Sequence, residues 1–359
     1  MIRIPIEKAK DTMILGKTIY KDNGTILINS GTKLKDRYIY NIKKHGITHI
    51  HIKNEESDYE EIDGIIKENT KKEAVILTKK LMSKLKLSDD IDIDKLKRVI
   101  NKIIDELLSE GDILISLLKI KDIDDYTFTH SFNVCILSLV TGFCLGYNRE
   151  ELLSLGLGAI LHDIGKMRVP SNILNKPDRL TEEEFEEIKN HTVYGYDILK
   201  DRKDISNNVA SIVLYHHERV DGKGYPEGIK KEDINDFVKI VSIADVYDAL
   251  TSDRVYRKKL KGQQAIEYLI AMSGTHFDYN MTNEFIKHIV VYSLGQGVEL
   301  SNGEKGFVVK VNKSLPTRPT IKVVYNSNNK KLIKPYSIDL INNNRITIVD
   351  TFDNEKNVI

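Results

Sequence analysis

The sequence has no tryptophan, two cysteines, seven prolines and almost no excess of charge of either sign. Its 359 residues include 54 Lys and Arg against 53 Asp and Glu, which gives a formal net charge of +1 at pH 7. This balance argues against a protein that binds a nucleic-acid polymer or an acidic membrane through its overall charge. Any chemistry on phosphate must therefore take place at a local site.

The two cysteines cannot pair with each other. Cys135 and Cys144 lie nine residues apart in one predicted helix, about 13 Å at ~1.5 Å per residue, which is too far for a disulfide. We therefore expect reduced thiols and a cytoplasmic location.

Long apolar runs are also missing. The most apolar segment, residues 134–147, is well short of the ~20 residues that span a bilayer, and the N-terminus lacks the layout of a signal peptide. The sequence therefore predicts a soluble protein without a membrane span.

Hydrophobic residues make up 41% of the chain, which suffices for the cores of two or three domains. The periodicity predicts a mainly α protein with one large all-helical domain, a small mixed N-terminal module and a small β-rich C-terminal module. The predicted boundaries are 1–55 for the mixed module, 56–91 for a linker helix region, 92–294 for the helical domain and 295–359 for the β-rich module.

Two features near the N-terminus have simple interpretations. His49 and His51 alternate on a predicted strand without a third ligand nearby, so we interpret them as a solvated face and not as a metal site. The lysine-rich helix predicted at 67–87 lacks interleaved aromatic residues, which favours a solvated helix face over a nucleic-acid patch.

Seven other His and Asp side chains are predicted to face inward. In a helix predicted at 149–165, Leu152, Leu155 and Ala159 form an apolar stripe that His162 and Asp163 continue. A helix that begins with a capping box of Thr181 and Glu184 is predicted to carry His191 on its inward face. Similar spacings predict inward positions for the other members of the set. The full set is His130, His162, Asp163, His191, His216, His217 and Asp245.

Burial of this many polar groups requires a shared partner. Each residue alone fits a hydrogen-bonded core position, but a buried carboxylate or imidazole is costly unless it is paired or coordinated. Imidazole and carboxylate ligands suit iron, manganese or zinc, and seven ligands exceed the needs of one tetrahedral ion. Two cations ~3.5–4 Å apart can activate water for in-line displacement at phosphorus. Phosphoester hydrolysis is therefore the first functional hypothesis.

Such a site also needs cationic side chains for the phosphate oxygens. Lys166 lies three residues after Asp163, and Arg254, Arg257 and Lys258 follow Asp245. Alone, these residues would fit a solvated surface, but beside a metal site they are candidates for phosphate contacts.

The segment 216–226 reads His-His-Glu-Arg-Val-Asp-Gly-Lys-Gly-Tyr-Pro. Gly222 and Gly224 permit positive φ and close backbone approach, and an ordinary turn is the alternative interpretation. Pro226 fixes the exit of the loop and Tyr225 offers a ring and a hydroxyl group. The two acidic residues of the segment are candidates to anchor the imidazoles through their second nitrogens; they are Glu218 and Asp221.

These residues resemble the HD-GYP family of bacterial cyclic di-GMP phosphodiesterases, a branch of the HD metal-dependent phosphohydrolases. The resemblance covers about residues 120–280 and includes the complete motif at 216–226, the doublet His162-Asp163 within His-Asp-Ile-Gly-Lys, and the segment 243–251. It implies that all seven inward residues are metal ligands, that Asp163 bridges two metals, and that Lys166, Arg254 and Arg257 contact the substrate phosphates. Asp163 and Lys166 would be the catalytic residues.

One departure bears on the number of metals. Some family members have a Glu four residues before the first ligand His, associated with a third metal, and this chain has Tyr126 there. We therefore expect a binuclear centre of iron or manganese.

The resemblance implies hydrolysis of cyclic di-GMP to linear pGpG by a metal-bridged hydroxide, and it leaves open whether hydrolysis continues to GMP. Two alternatives stay open: a cyclic-dinucleotide receptor that signals through its flanking modules, and a hydrolase of another cyclic dinucleotide or nucleotide. The resemblance also leaves room for a protein partner at the Gly-Tyr-Pro loop and for a homodimer. Both flanking modules are similar to extensions found beside such domains.

Overall fold

The computed structural model describes residues 2–16, 18–20, 26–52, 66–85, 92–109, 115–116, 126–252, 259–312 and 315–352. The chain divides into two compact units, one made of residues 1–63 and 292–359 and the other of residues 64–291. The four domain boundaries expected from the sequence stay a prediction.

The N-terminal module consists of short strands and one helix around a small apolar core. β1 (Ile2–Pro5) pairs antiparallel with β4 (His49–Ile52), and β2 (Ile19–Tyr20) pairs with β3 (Ile26–Ile28). The helix α1 (Asp36–Lys44) buries Ile39 and Ile42. His49 is exposed, in agreement with a solvated strand face. The side chain of His51 is not among those that the structure describes.

The unit 64–291 is helical, which confirms the predicted mainly α class. Among the described residues no helix is both long enough and apolar enough to cross a membrane. The helices, in chain order, are α2 (Glu68–Leu85), α3 (Ile93–Ser109), α4 (Tyr126–Cys144), α5 (Arg149–Leu161), α6 (Ser171–Leu174), α7 (Glu182–Lys189), α8 (His191–Leu199), α9 (Asn207–Tyr215), α10 (Asp236–Thr251), α11 (Gly262–Ala271) and α12 (Tyr279–Lys287).

One short parallel strand pair interrupts the helical pattern. β5 (Ile115–Ser116) pairs with β6 (Ile289–Val290), whereas the sequence predicted only helices between 92 and 294. Strands of two residues are too short to show an alternating pattern, so periodicity could not reveal them.

The helix predicted at 149–165 ends earlier, and this changes the position of two predicted ligands. α5 stops at Leu161, and a 3-10 turn follows at Ile164–Met167. The imidazole Nδ1 of His162 lies 2.7 Å from the carbonyl oxygen of Ala159, the group that the amide of residue 163 would bind in a continuing helix. The side chain therefore takes the place of a backbone hydrogen bond where the helix ends.

A second predicted helix is also divided. The capping box of Thr181 and Glu184 is present, but α7 ends at Lys189 and His191 is the first residue of α8. The imidazole Nδ1 of His191 lies 2.7 Å from the carbonyl oxygen of Ile188, so His191 bridges the two helices.

The 3-10 turn packs so tightly on α8 that only glycine fits at position 165. A Cβ atom there would lie 1.8 Å from the carbonyl oxygen of His191 and 2.4 Å from the amide of Gly195. We expect Gly165→Ala to lower the free energy of unfolding by about 2–3 kcal/mol, because backbone atoms must move apart. Thermal unfolding measures the change.

Gly262→Ala is the matched control, because a Cβ atom at that position would meet its nearest neighbour at an ordinary 3.6 Å. An equal loss of stability in both variants would contradict the tight packing at Gly165.

The C-terminal module is a five-stranded antiparallel sheet in the order β10–β9–β8–β7–β11. The sequence predicted three of its strands and missed two, one of which, β10, is largely exposed, contains Pro335 and shifts register between Lys331 and Tyr336. These features remove the alternation of buried and exposed residues on which the prediction depends. The strands are β7 (Gly297–Leu300), β8 (Lys305–Lys310), β9 (Thr320–Tyr325), β10 (Lys331–Asp339) and β11 (Ile348–Phe352).

Candidate metal centre

The structure brings all seven predicted ligands together from α4, α8, α10 and the ends of α5 and α9. They form two groups, and within each group the candidate ligand atoms all lie within 4.8 Å of one another. Six of the seven residues are buried, and the side chain of His217 is 25% exposed. The first group is Asp163, His191, His216 and His217, and the second is His130, His162 and Asp245.

Backbone carbonyl groups set the orientation of three imidazoles. Nδ1 of His162 and Nδ1 of His191 each lie 2.7 Å from a carbonyl oxygen, and Nδ1 of His216 lies 3.1 Å from that of Val213. A carbonyl oxygen only accepts, so each Nδ1 carries the hydrogen and each Nε2 carries a lone pair. The lone pairs therefore face the interior of the cluster.

Two of these lone pairs face each other directly. Nε2 of His191 lies 3.3 Å from Nε2 of His216, and both rings are buried. Since both Nδ1 atoms already donate to carbonyl groups, neither Nε2 atom of the neutral rings has a hydrogen to offer the other. Two buried acceptors at this distance favour a shared cation.

Asp163 lies between the two groups. Its Oδ1 is 3.4 Å from Nε2 of His191, and its Oδ2 is 3.3 Å from Nε2 of His162. Among the described residues, Oδ1 of Asp163 and Nε2 of His162 are buried without a hydrogen-bond partner. Unpaired buried acceptors are rare unless they coordinate a cation, so the donor set fits metal ions, and the two oxygens of Asp163 would each be available to one of them.

The protonation states also suit a divalent cation. Burial lowers the pKa of His191 to about 4 and that of His217 to about 3, and it lowers the pKa of His216 well below its usual value. Burial would raise the pKa of Asp163, but Lys166 and His162 outweigh it and hold that pKa well below its usual value. Neutral imidazoles and an ionised carboxylate are the forms that bind metal.

His130 differs from the other ligands. Burial lowers its pKa, but hydrogen bonds to Asp245 and Asp248 outweigh burial and raise the pKa to about 10. Nε2 of His130 is 3.1 Å from Oδ1 of Asp245, so a cation bound by these two atoms displaces a proton.

Asp248 orients His130, a role that was not predicted from the sequence. Asp248 is fully buried, and its Oδ2 lies 2.7 Å from Nδ1 of His130 while its Oδ1 accepts a hydrogen bond from Nδ2 of Asn133 at 2.8 Å. Histidine ligands commonly donate their second nitrogen to a carboxylate in this way. A signal was present, because Asp248 follows Asp245 by three residues and shares its helix face.

Two carboxylates predicted to anchor the imidazoles are placed elsewhere. Oε1 of Glu218 accepts hydrogen bonds from the amides of Glu227 and Gly228 at 2.8 and 2.9 Å, and Asp221 binds the guanidinium group of Arg219. Backbone carbonyls and Asp248 already occupy Nδ1 of four imidazoles, those of His130, His162, His191 and His216. In the described structure, the hydrogen bonds of Glu218 and Asp221 go to loop amides and to Arg219.

The loop of the Gly-Tyr-Pro motif is held close to the end of α9. Gly222 has a φ of +72°, and a Cβ atom at Gly224 would lie 2.4 Å from the Cα atom of Glu218, so both positions require glycine. The peptide bond before Pro226 is cis. The ring centroids of Tyr225 and His217 lie 4.7 Å apart. Burial, together with the negative charges of Asp245 and Asp163, raises the pKa of Tyr225. Its hydroxyl group therefore stays protonated beside the cluster.

Of the predicted phosphate contacts, one is described. Nζ of Lys166 lies 2.6 Å from Oδ2 of Asp163, and the side chain is 29% exposed. Arg254 and Arg257 lie outside the described residues, and so does the side chain of Tyr126.

Comparisons with known proteins agree with this architecture. Residues 127–281 match the family described as HD domain, and residues 297–357 match the family described as KOW domain associated with HD domain. The chain is 35% identical over 255 residues to a cyclic di-GMP phosphodiesterase of Pseudomonas aeruginosa, which covers 71% of this chain and 61% of that protein. It is 38% identical over 129 residues to the 3′3′-cGAMP-specific phosphodiesterase 2 of Vibrio cholerae, which covers 36% of this chain and 25% of that protein.

The chain therefore spans less than two thirds of the length of either relative. A solved HDG“Y”P protein of Bdellovibrio bacteriovorus has a similar fold, with a TM-score of 0.51 and 17% identity over 79% of this chain and 97% of that one. The matches confirm the fold that the resemblance in the sequence implied. All seven candidate ligands lie within residues 127–281, the segment that matches the HD domain family.

Proposed function

We propose that this protein is a binuclear metal-dependent phosphodiesterase that hydrolyses cyclic di-GMP to linear pGpG, as members of the HD-GYP branch do. The proposal rests on the two buried groups of candidate ligands, with Asp163 between them. Within the first group, the Nε2 atoms of His191 and His216 lie 3.3 Å apart and neither carries a hydrogen. All ligand atoms of the set are nitrogen or oxygen, which supports iron or manganese as the metal.

The chain's own residues define how a phosphodiester would bind. When bound, two cations lower the pKa of a coordinated water and stabilise charge on the phosphorus oxygens. The ammonium group of Lys166 lies 2.6 Å from Oδ2 of Asp163, and its side chain is 29% exposed, so it can pair with a non-bridging oxygen of a bound phosphodiester. The protonated hydroxyl group of Tyr225 is a hydrogen-bond donor near His217. Arg254 and Arg257 remain the proposed contacts for the second phosphate.

The relatives support two substrate classes. One is named a cyclic di-GMP phosphodiesterase and is matched over 255 residues, whereas the other is named for 3′3′-cGAMP and is matched over 129 residues. The longer match favours cyclic di-GMP, and a mixed cyclic dinucleotide is the second candidate. Both substrates have the same phosphodiester core, which the metal centre would contact.

A side-by-side rate measurement tests the proposal. The full chain, purified without oxygen and loaded with Mn²⁺ or Fe²⁺, is incubated with cyclic di-GMP, 3′3′-cGAMP and a nucleoside triphosphate, and the products are separated by chromatography. We expect pGpG from cyclic di-GMP at the highest rate. Faster hydrolysis of 3′3′-cGAMP would favour the second candidate, and binding of cyclic di-GMP without hydrolysis would support a receptor instead.

Lys166→Gln should reduce hydrolysis by about 10- to 100-fold, because a charge-assisted contact to the phosphate is lost. Metal content should stay at the wild-type value, since Lys166 is not a ligand. Initial rates together with elemental analysis measure both effects.

Lys200→Gln is the matched control. Lys200 forms the same kind of pair as Lys166, with Asp197 three residues before it and 2.6 Å from its Nζ, but on an exposed helix face. Equal rates for the two variants would exclude a phosphate contact at Lys166.

A further inference from the structure

A cysteine, a histidine and a glutamate form a hydrogen-bonded chain outside the candidate metal centre. Sγ of Cys144, the last residue of α4, lies 3.4 Å from Nδ1 of His288, which directly follows α12. Nε2 of the same imidazole lies 3.1 Å from Oε1 of Glu284. None of the three belongs to the metal-binding groups, and the proposed hydrolysis uses none of them.

The carboxylate determines which nitrogen of His288 faces the thiol. Burial raises the pKa of Glu284, but hydrogen bonds from Lys287 and His288 outweigh it and lower that pKa below its usual value. The ionised carboxylate accepts the hydrogen of Nε2, so Nδ1 carries a lone pair toward Cys144. Cys144 is then the nucleophile, His288 is the base, and Glu284 orients the base. This arrangement activates a thiol.

The helices around Cys144 provide little other support for a thiolate. The C-terminal end of α4 disfavours negative charge, and residues 131–143 of that helix contain no charged side chain. On α12 the nearby charged groups are Glu284 and Lys287, whose Nζ lies 2.7 Å from Oε2 of the carboxylate. Proton transfer to His288 is a route to a thiolate that does not depend on these charges.

We propose that Cys144 is a reactive thiol, activated by His288 and Glu284, that hydrogen peroxide oxidises to a sulfenic acid. The sulfur attacks one peroxide oxygen, so that an S–O bond forms while the O–O bond breaks. The thiol proton passes to His288 and then to the leaving hydroxide, which departs as water. The sulfur loses two electrons and the peroxide gains two.

The surroundings favour a small oxidant and this product. Cys144 is only partly accessible, which suits a reagent the size of hydrogen peroxide. Cys135 is nine residues away in the same helix and cannot form a disulfide with it, so the sulfenic acid cannot condense with Cys135.

The test treats the full chain with hydrogen peroxide at pH 7, traps sulfenic acid with dimedone and measures each cysteine by mass spectrometry. Cys135 is an internal control, because it is fully buried and burial alone raises its pKa to about 12. We expect dimedone on Cys144 and not on Cys135. Equal labelling of the two cysteines, or no labelling of Cys144, would overturn the proposal without any variant.

A variant of His288 distinguishes activation of the thiol from a purely structural role of this histidine. His288→Gln should lower the labelling rate of Cys144 at least about tenfold at pH 7, and Glu284→Gln should lower it less. At about pH 10 a thiol ionises without assistance, so the rates of wild type and His288→Gln should converge. An unchanged rate at pH 7, or the same tenfold deficit at both pH values, would contradict the role of His288.

Discussion

Asp163→Asn is expected to abolish hydrolysis, with a fall in rate of at least about a thousandfold, and to reduce metal content from two ions per chain to one or none. The carboxylate faces His191 through one oxygen and His162 through the other, so its replacement weakens both metal positions at once. An amide supplies one neutral oxygen in place of two charged ones, which divalent cations bind less well. Initial rates and elemental analysis of the same preparation measure the two effects together.

Asp197→Asn is the control for this variant. Asp197 also pairs with a lysine three residues away, at 2.6 Å, but it is exposed and belongs to neither group of candidate ligands. It should keep full activity and two metals. An Asp163→Asn protein that retains two metal ions per chain would contradict the bridging position of Asp163.

Asp248→Ala is expected to weaken metal binding by about 10- to 100-fold, although Asp248 lies outside both groups of candidate ligands. The substitution removes the acceptor of His130 Nδ1, of Asn133 Nδ2 and of Ser252 Oγ. The imidazole can then rotate, and three buried donors lose this acceptor at a cost of about 1–3 kcal/mol each. Titration of chelator-treated protein with Mn²⁺ measures the change in affinity.

Two further variants make this result specific. Asp248→Asn keeps one acceptor oxygen and should fall between wild type and Asp248→Ala. Asp278→Ala removes another buried aspartate, which caps α12 and pairs with Lys231, so it should lower stability but leave metal affinity unchanged. Equal losses of metal affinity in Asp248→Ala and Asp278→Ala would indicate general unfolding and not orientation of His130.

Helical periodicity was sufficient to find the ligands because each lies in or directly beside a helix whose other inward positions are apolar. His130 and Val134, for example, share one face of α4, and both are buried. The pattern could not show that His162 and His191 lie at helix ends, since these ends depend on hydrogen bonds of the imidazoles to carbonyl groups.

Contacts between distant parts of the chain were beyond the sequence alone. Asp248 is 118 residues from His130. Its spacing places it on the helix face of Asp245, but this does not show which histidine it contacts. The same applies to Glu218, which was expected beside an imidazole and instead binds loop amides nine and ten residues ahead. The local sequence pattern was sufficient to predict the type of site. The residues that orient and support the ligands could be identified only from the folded structure.

A metal titration with an activity readout tests the central claim most directly. Chelator-stripped protein receives increasing Mn²⁺ or Fe²⁺ without oxygen, and the rate of pGpG formation from cyclic di-GMP is recorded against bound metal. The binuclear account predicts no hydrolysis without metal and a rate that reaches its plateau at two ions per chain. Full activity in the stripped protein, or no hydrolysis with two ions bound, would contradict it.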